Sequence, residues 1–337
     1  MGIPAVEKKP GHLAEVHVFT GVNGTGKTRL LSVLAAMLGC PDQLKRRLRG
    51  IQTAADFGAT PESLSSATLE TWDGWERFYV SIPNDSCGWV FPTNFTTSVS
   101  HQLPAFAYNG TAYVADAPLA VLAEMPRPNR DECLAFERPA AHSKQLIQVI
   151  AKLKLQAAMD SLEDGGATAP VTRPQRIING VERSVSEITG RKFTFHVASY
   201  PDWALSAMLD GTRLPFDLLP DGLRSIIGWL GHAVVMMDVW LQGRSDPLDT
   251  EAIFLLDEIE SHLHPTWQRR ILPAFQQLFP KAQIFVATHS PFVISSLNHG
   301  WIHPFYLDAA GRVTIGKPIP ASAGDSYISV VEEILIS

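Results

Sequence analysis

The chain has no basic surplus, few cysteines and no apolar run that spans a bilayer comfortably. Its 28 Lys and Arg stand against 34 Asp and Glu, a formal charge of −6. That balance does not advertise a nucleic-acid surface, so DNA is left open but not indicated. One local exception, "KRRLRG" at Lys45 to Gly50, reads first as a solvated face and only second as a phosphate-backbone contact. The three cysteines, Cys40, Cys87 and Cys133, make no CxxC spacing and no even-numbered framework, which excludes a disulfide scaffold and points to a reducing compartment. The opening "MGIPAVEKKPGHLAE" lacks the apolar core of a secretion signal. The most apolar segment, Ser225 to Leu241, is interrupted by His232 and Asp238 and is short for a membrane span. A cytoplasmic chain without membrane attachment is expected.

What is present is a globular composition, 45% hydrophobic and 18% charged over 337 residues, enough for one large core or two modest ones. "EVHVF", Glu15 to Phe19, reads as a strand. From Thr28 to Leu38 the apolar positions Leu30, Leu34, Met37 and Leu38 fall at helical spacing. Residues 50–114 mix short β-like runs, "RFYVSI" and "AFAYNGTAYVA", with Gly, Pro and Asn, and read as a partly irregular sheet edge. "HSKQLIQVIAKLKLQAAMDSL" places Leu146, Ile150, Leu153 and Ala157 on one helical face. A loop from Glu163 to Pro174, a helix over roughly Gln175 to Thr189, and the strands "KFTFHVAS" and "ALSAML" follow. Asp210-Gly211 reads as a hairpin turn. Beyond Phe216 buried helix and buried strand alternate: "AIFLL" and "QIFVA" flank a helical stretch from Pro265 to Leu278. That alternation predicts a mostly parallel sheet flanked by helices.

"GVNGTGKT", Gly21 to Thr28, fits GxxxxGK[ST] with a strand before it and a helix after it. Glycines let backbone N–H groups turn inward around a β-phosphate, and the helix start adds its positive end. The expected cradle is Gly21, Asn23, Gly24, Thr25, Gly26, Lys27, Thr28 and Arg29. Lys27 would neutralise β/γ oxygens, and Thr28 would ligate Mg²⁺ through its hydroxyl. A glycine turn that merely imitates a P-loop is the bland alternative, which the flanking pattern disfavours. "AIFLLDEIE" ends an apolar strand in carboxylates, Asp257 placed for Mg²⁺ and Glu258 for polarising the attacking water. His289 in "FVATHSPF" follows another buried strand, where a neutral imidazole could sense a γ-phosphate. A lone histidine is usually structural, so this reading rests on its company. The pair His262 and His264 in "SHLHP" tempts a zinc reading, which the nucleotide site makes unnecessary.

The set "GVNGTGKT", "LPDGLRS", "IFLLDEIESHLHP" and "VATHSPF", in that order, resembles ABC-type AAA-family ATPases of the SMC/RecF/OLD branch. It is similar above all to the small ATPases of bacterial defence systems, OLD-like, Septu-like and retron-associated. The resemblance covers the P-loop region and about 193–300, and is weak over 40–190. It implies an α/β P-loop NTPase fold with an inserted helical subdomain: a core of residues 1–114 and 214–337, and an arm with a β-hairpin at 115–213. It also implies ATP and Mg²⁺ as ligands, and a homodimer in which Leu219, Asp221 and Gly222 reach the partner's nucleotide. Pro220 stands where the family commonly has Ser, so Arg224 and Ser225 become substitute donors. "ESHLHP" would be the loop through which the two sites sense each other. The coupling glutamine is left between Gln52 and Gln102, and the strand pair that commonly precedes such a P-loop has little room before Glu15.

Three functions compete on these grounds. The first is an ATP-hydrolysing homodimer that regulates a separately encoded effector such as a nuclease in anti-phage defence, since the residues after His289 are too few for a TOPRIM nuclease. The second is an ATP-bound scaffold with little turnover, which Pro220 favours, and a RecF-like DNA-repair ATPase stands beside it. A transporter subunit ranks last, lacking LSGGQ.

Overall fold

The structure, a computed structural model, describes residues 14–38, 67–70, 77–80, 103–111, 114–117, 119, 128–136, 139–163, 171–198, 203–309 and 311–321. The Lys45–Gly50 run, Cys40, Cys87, Gln52 and Gln102 lie outside the described residues.

The chain enters through β1 (Glu15–Gly21) and α1 (Lys27–Met37). A separate antiparallel pair, β2 (Ala67–Glu70) and β3 (Arg77–Val80), precedes β4 (Ala105–Asn109). Three helices follow: α2 (Arg130–Cys133), α3 (Pro139–Glu163) and α4 (Arg173–Thr189). Next comes an antiparallel meander of β5 (Phe193–Ala198), β6 (Ala204–Leu209) and β7 (Thr212–Leu214). Asp210 and Gly211 join β6 to β7 with φ of 49° and 84°, the two positive values that a tight two-residue hairpin requires. One buried rod then runs through α5 (Asp221–Ile226), a π turn (Ile227–Gly231) and α6 (His232–Leu241). The rest alternates as the apolar runs predict: β8 (Ala252–Asp257), α7 (Pro265–Leu278), β9 (Ala282–Ala287), α8 (Pro291–Ile294) and β10 (Trp301–Leu307), closed by β11 (Val313–Ile315) and β12 (Ile319–Pro320).

The main sheet has the order β11-β10-β1-β9-β8-β4, with β12 also paired to β10. β10, β1, β9, β8 and β4 are mutually parallel, while β11 and β12 add antiparallel to the β10 side. After β1 the chain goes out to β4 and returns strand by strand through β8 and β9. It then crosses β1 to reach β10, so the order reverses at β1. Open parallel sheets bind ligands beyond their strand C-termini at such a reversal.

Both sheet faces are covered, which is why the strands read as continuous apolar runs rather than alternating ones. Along β1, Val16 and Val18 join the larger core, where Phe106, Phe254, Phe275 and Trp229 pack with α3, α4 and the central rod. Phe19 points to the opposite face, where Leu31, Leu34 and Ala35 of α1 meet Leu255, Phe285 and Phe305. The predicted face of α3, Leu146, Ile150, Leu153 and Ala157, is buried in the larger core. Among the described residues no helix is long and apolar enough to cross a membrane. The architecture is a mixed α/β fold, a mainly parallel sheet flanked by helices.

Candidate functional site

Parallel register brings the motif ends level. Asn109 pairs with Asp257, Asp257 with Ala287, and Ala287 with Phe19. The row extends one residue further, through Gly110 N–H to Asp257 O (3.2 Å), Glu258 N–H to Ala287 O (2.9 Å) and Thr288 N–H to Phe19 O (3.1 Å). Residues from distant parts of the chain therefore turn out of the sheet at one height, beside the loop that follows β1.

That loop is wound by Gly24 and Gly26, with φ of 87° and 83°, values that cost a glycine nothing. Thr25 ties it shut, its hydroxyl donating to Val22 O at 2.8 Å. Lys27, the first residue of α1, folds its ammonium into the bowl and donates to Gly21 O (2.9 Å) and Val22 O (3.1 Å). Burial lowers its pKa to about 8, while Glu258, Asp257 and Glu260 act the other way. The hydroxyl of Thr28 donates to Asp257 Oδ1 at 2.8 Å. This pair is an all-oxygen donor set at a helix start, the chemistry that suits a hard cation such as Mg²⁺ and its phosphate partners.

Asp257 is buried and Glu258 is exposed, so the two carboxylates divide between the sheet end and the open face. Glu258 achieves this with φ of 49°, a left-handed conformation that costs a residue with a Cβ on the order of 1–2 kcal/mol. His289 lies half-buried near Lys27, Glu258 and the backbone of Gly21. Burial, and then the Lys27 charge, hold its pKa below the ordinary histidine value, which keeps the ring neutral at pH 7. P-loop, carboxylate pair and histidine are thus brought together.

The Leu219–Gly222 segment sits elsewhere. Leu219 is buried, Pro220 and Asp221 are exposed, and the short 3₁₀ turn before them leaves Leu218 on the surface. Gly222 lies under the next loop: a Cβ there would stand 2.9 Å from His262 O. The two substitute donors expected near it are already engaged. Ser225 is fully buried and gives its hydroxyl to Gly110 O at 2.8 Å. Arg224 donates to Val114 O at 3.0 Å and pairs with Asp217 and Asp221. Ser225 is therefore corrected from a donor toward a second copy to an internal staple, because burial removes it from any surface. His264 caps α7, its Nδ1 accepting from Thr266 N–H at 3.3 Å.

Sequence reasoning missed Asn109. It ends the strand next to Asp257, and its Oδ1 accepts from the Thr111 N–H (3.2 Å) and hydroxyl (2.8 Å). The next residue must be glycine, since a Cβ on Gly110 would stand 2.2 Å from Glu258 O. The signal was an apolar run ending in Asn-Gly, readable only once the strand was known to neighbour Asp257.

Residues 207–295 match the family described as "AAA domain, putative AbiEii toxin, Type IV TA system". Over 127 residues the chain is 27% identical to "Retron Vc95 probable ATPase" of Vibrio cholerae serotype O1 biovar El Tor, a match spanning 37% of this chain and 24% of that protein. It is 30% identical over 106 residues to "Septu protein PtuA" of Bacillus mycoides (strain KBAB4), covering 32% of this chain and 14% of that protein. A solved structure of the SmcHead bound to the C-winged helix domain of ScpA aligns with a TM-score of 0.47 at 12% identity, over 91% of this chain and 90% of that one. The chain spans a quarter or less of the length of the curated relatives it matches. Residues 207–295 are similar to an AAA domain, and over the aligned stretches the chain is similar to a retron probable ATPase and a Septu protein.

Proposed function

We propose that the chain binds ATP with Mg²⁺ and hydrolyses it, two copies closing around the nucleotide, and that this closure controls a separately encoded effector such as a nuclease in a defence system. The observation that carries the reading is the 2.8 Å contact between Thr28 and Asp257, which joins the phosphate loop to the carboxylate-bearing strand. Similarity to retron and Septu proteins supports the defence context.

In this mechanism the N–H groups of Gly24, Thr25 and Gly26 and the start of α1 hold the β-phosphate, with Asn23 and Arg29 at the rim. Lys27 turns its ammonium from Gly21 O and Val22 O toward the β/γ oxygens. Thr28 and Asp257 would hold Mg²⁺, which would supply charge neutralisation for the leaving phosphate. Glu258, exposed on the open face, polarises the attacking water, and neutral His289 steadies the γ-phosphate side. The start of α5 would offer backbone N–H groups to the second copy's nucleotide at exposed Asp221, while Gly222 lies buried under the 261–264 loop and Leu219 contributes main chain only. The core would comprise 1–114 and 214–337, with 115–213 as an arm that carries closure outward.

Steady-state phosphate release with ATP and Mg²⁺ tests the reading on wild type, Lys27→Ala and Glu258→Gln. Turnover in wild type that falls by about 10²–10⁴ in Glu258→Gln is expected. A wild-type chain that neither binds ATP nor releases phosphate would end it. Pro220, which carries no hydroxyl at the start of α5, favours the second reading, an ATP-held scaffold: tight binding and a doubled particle mass without turnover would select it. A RecF-like role would instead appear as DNA binding that weakens steeply with salt.

A further inference from the structure

Glu260 has no part in the mechanism above, yet its carboxylate is buried beside the site. It lies in the loop between β8 and α7, buried, with Oε2 unpartnered among the described residues. Its Oε1 accepts two donors from the other side of the site, the Thr288 hydroxyl and the His289 N–H, the latter at 3.2 Å. A buried carboxylate with an idle oxygen is costly to keep, and burial pushes its pKa up against the help of those two donors.

The contacts continue into a closed ring. Thr288 Oγ1 accepts the Ser290 N–H at 2.9 Å, and Ser290 Oγ donates to Gln268 Oε1. Gln268 Nε2 donates to Leu263 O at 2.9 Å, and Leu263 N–H returns to Glu260 O at 3.0 Å. One edge of this ring is the 261–264 loop, which bends at His262 with φ of 65° and lies over Gly222. The opposite edge is the backbone of His289. Gly222, the loop, Glu260 and His289 form one continuous mechanical series.

We propose that Glu260 is a positioning residue: by accepting from the Thr288 hydroxyl and the His289 N–H it ties the 261–264 loop to His289 and holds the imidazole in register with the γ-phosphate. This rests on the ATPase reading. The carboxylate acts as a hydrogen-bond acceptor here, not as a proton acceptor or a ligand.

The test is a mutant cycle in the full chain: wild type, Glu260→Ala, Glu260→Gln, His289→Ala and Glu260→Ala/His289→Ala. ATP turnover and KM are measured below each variant's unfolding midpoint. Glu260→Ala should lower kcat about tenfold to a hundredfold, as a displaced catalytic group does, with KM for ATP changed less than about threefold. Glu260→Gln, which keeps an oxygen for the same two donors, should retain most of the rate. In the His289→Ala background the loss of Glu260 should add less than about twofold, because groups acting as one unit are not additive. Losses that multiply would overturn the proposal. So would a Gln variant as impaired as the Ala variant, or an Ala variant as active as wild type. If Glu260→Ala does not fold, Thr288→Val replaces it, with partial loss expected only while His289 is present. Absence of wild-type turnover would sink the ATPase reading and this proposal together, whereas normal wild-type turnover unaffected by Glu260→Ala sinks this proposal alone.

Discussion

Thr28 and Asp257, 229 positions apart, meet through a 2.8 Å hydrogen bond from hydroxyl to carboxylate. The first turn of α1 and the last residue of β8 are therefore held at the distance at which one hard cation could be shared between them.

Asp257→Asn keeps the shape of this contact and removes its charge. We expect Mg²⁺-dependent ATP binding to weaken by about tenfold to a hundredfold, the range seen when a group supporting a bound metal is lost. A Mg²⁺ titration of fluorescent-nucleotide binding measures this. An unchanged Mg²⁺ midpoint would remove Asp257 from the metal's surroundings.

Glu258→Gln should separate binding from chemistry. Because Glu258 is exposed and Asp257 is not, the change should leave ATP affinity within about twofold while turnover falls by about 10²–10⁴. The trapped ATP state should appear as a particle of doubled mass with ATP and Mg²⁺, and as a single-chain particle when Lys27→Ala is added.

Acid stability should depend on a histidine pair far from this chemistry in role though not in strand. Glu15 Oε1 accepts from His17 Nε2–H at 3.0 Å, so His17 Nδ1 accepts from His303 Nε2–H at 3.1 Å, and His303 Nδ1 is left without a partner. Burial, then the neighbouring His17, lowers the His303 pKa to about 4. The unfolded chain takes up this proton near 6.5, the folded chain only near 4. Between those values the unfolded state binds more protons, so stability is full above about 6.5 and falls as pH drops toward 4, by on the order of 3 kcal/mol from this group. Denaturant unfolding at stepped pH should show the slope in wild type and a flatter one in His303→Phe.

A buried polar relay links the sheet to the long helix. Tyr108 on β4 donates to His232 Nδ1 at 3.0 Å, and His232 Nε2–H donates to Gln145 Oε1 on α3 at 2.8 Å. Burial raises the Tyr108 pKa well above its usual value, which keeps the phenol a donor. Tyr108→Phe should cost about 1 kcal/mol, and His232→Phe about 1–3 kcal/mol, as a shifted denaturant midpoint at constant slope. Equal stability in both variants would mean that the relay holds nothing.

Much of this was legible in residue order. The helix predicted over Pro265 to Leu278 is found with those bounds, because a Pro at its start and apolar positions at helical spacing act locally. "AIFLL" and "QIFVA" are strands buried on both faces, and only a parallel sheet under two helix layers asks for such runs. The place of Asn109 beside Asp257 was not legible, since strand order is a property of the whole chain. Ser225 was misjudged for the same reason: its sequence neighbours suggest a loop mouth, whereas its neighbours in space enclose it. Glu260 was legible only as the first residue of "ESHLHP"; its contacts with Thr288 and His289 come from the fold.

The sequence by itself determined the glycine-rich loop, the carboxylate-ending strand and the class of fold, since each depends on contiguous residues and on apolar spacing. Only the tertiary structure decided which side chains share the site, because parallel pairing sets distant strand ends at one height and no local pattern encodes that register.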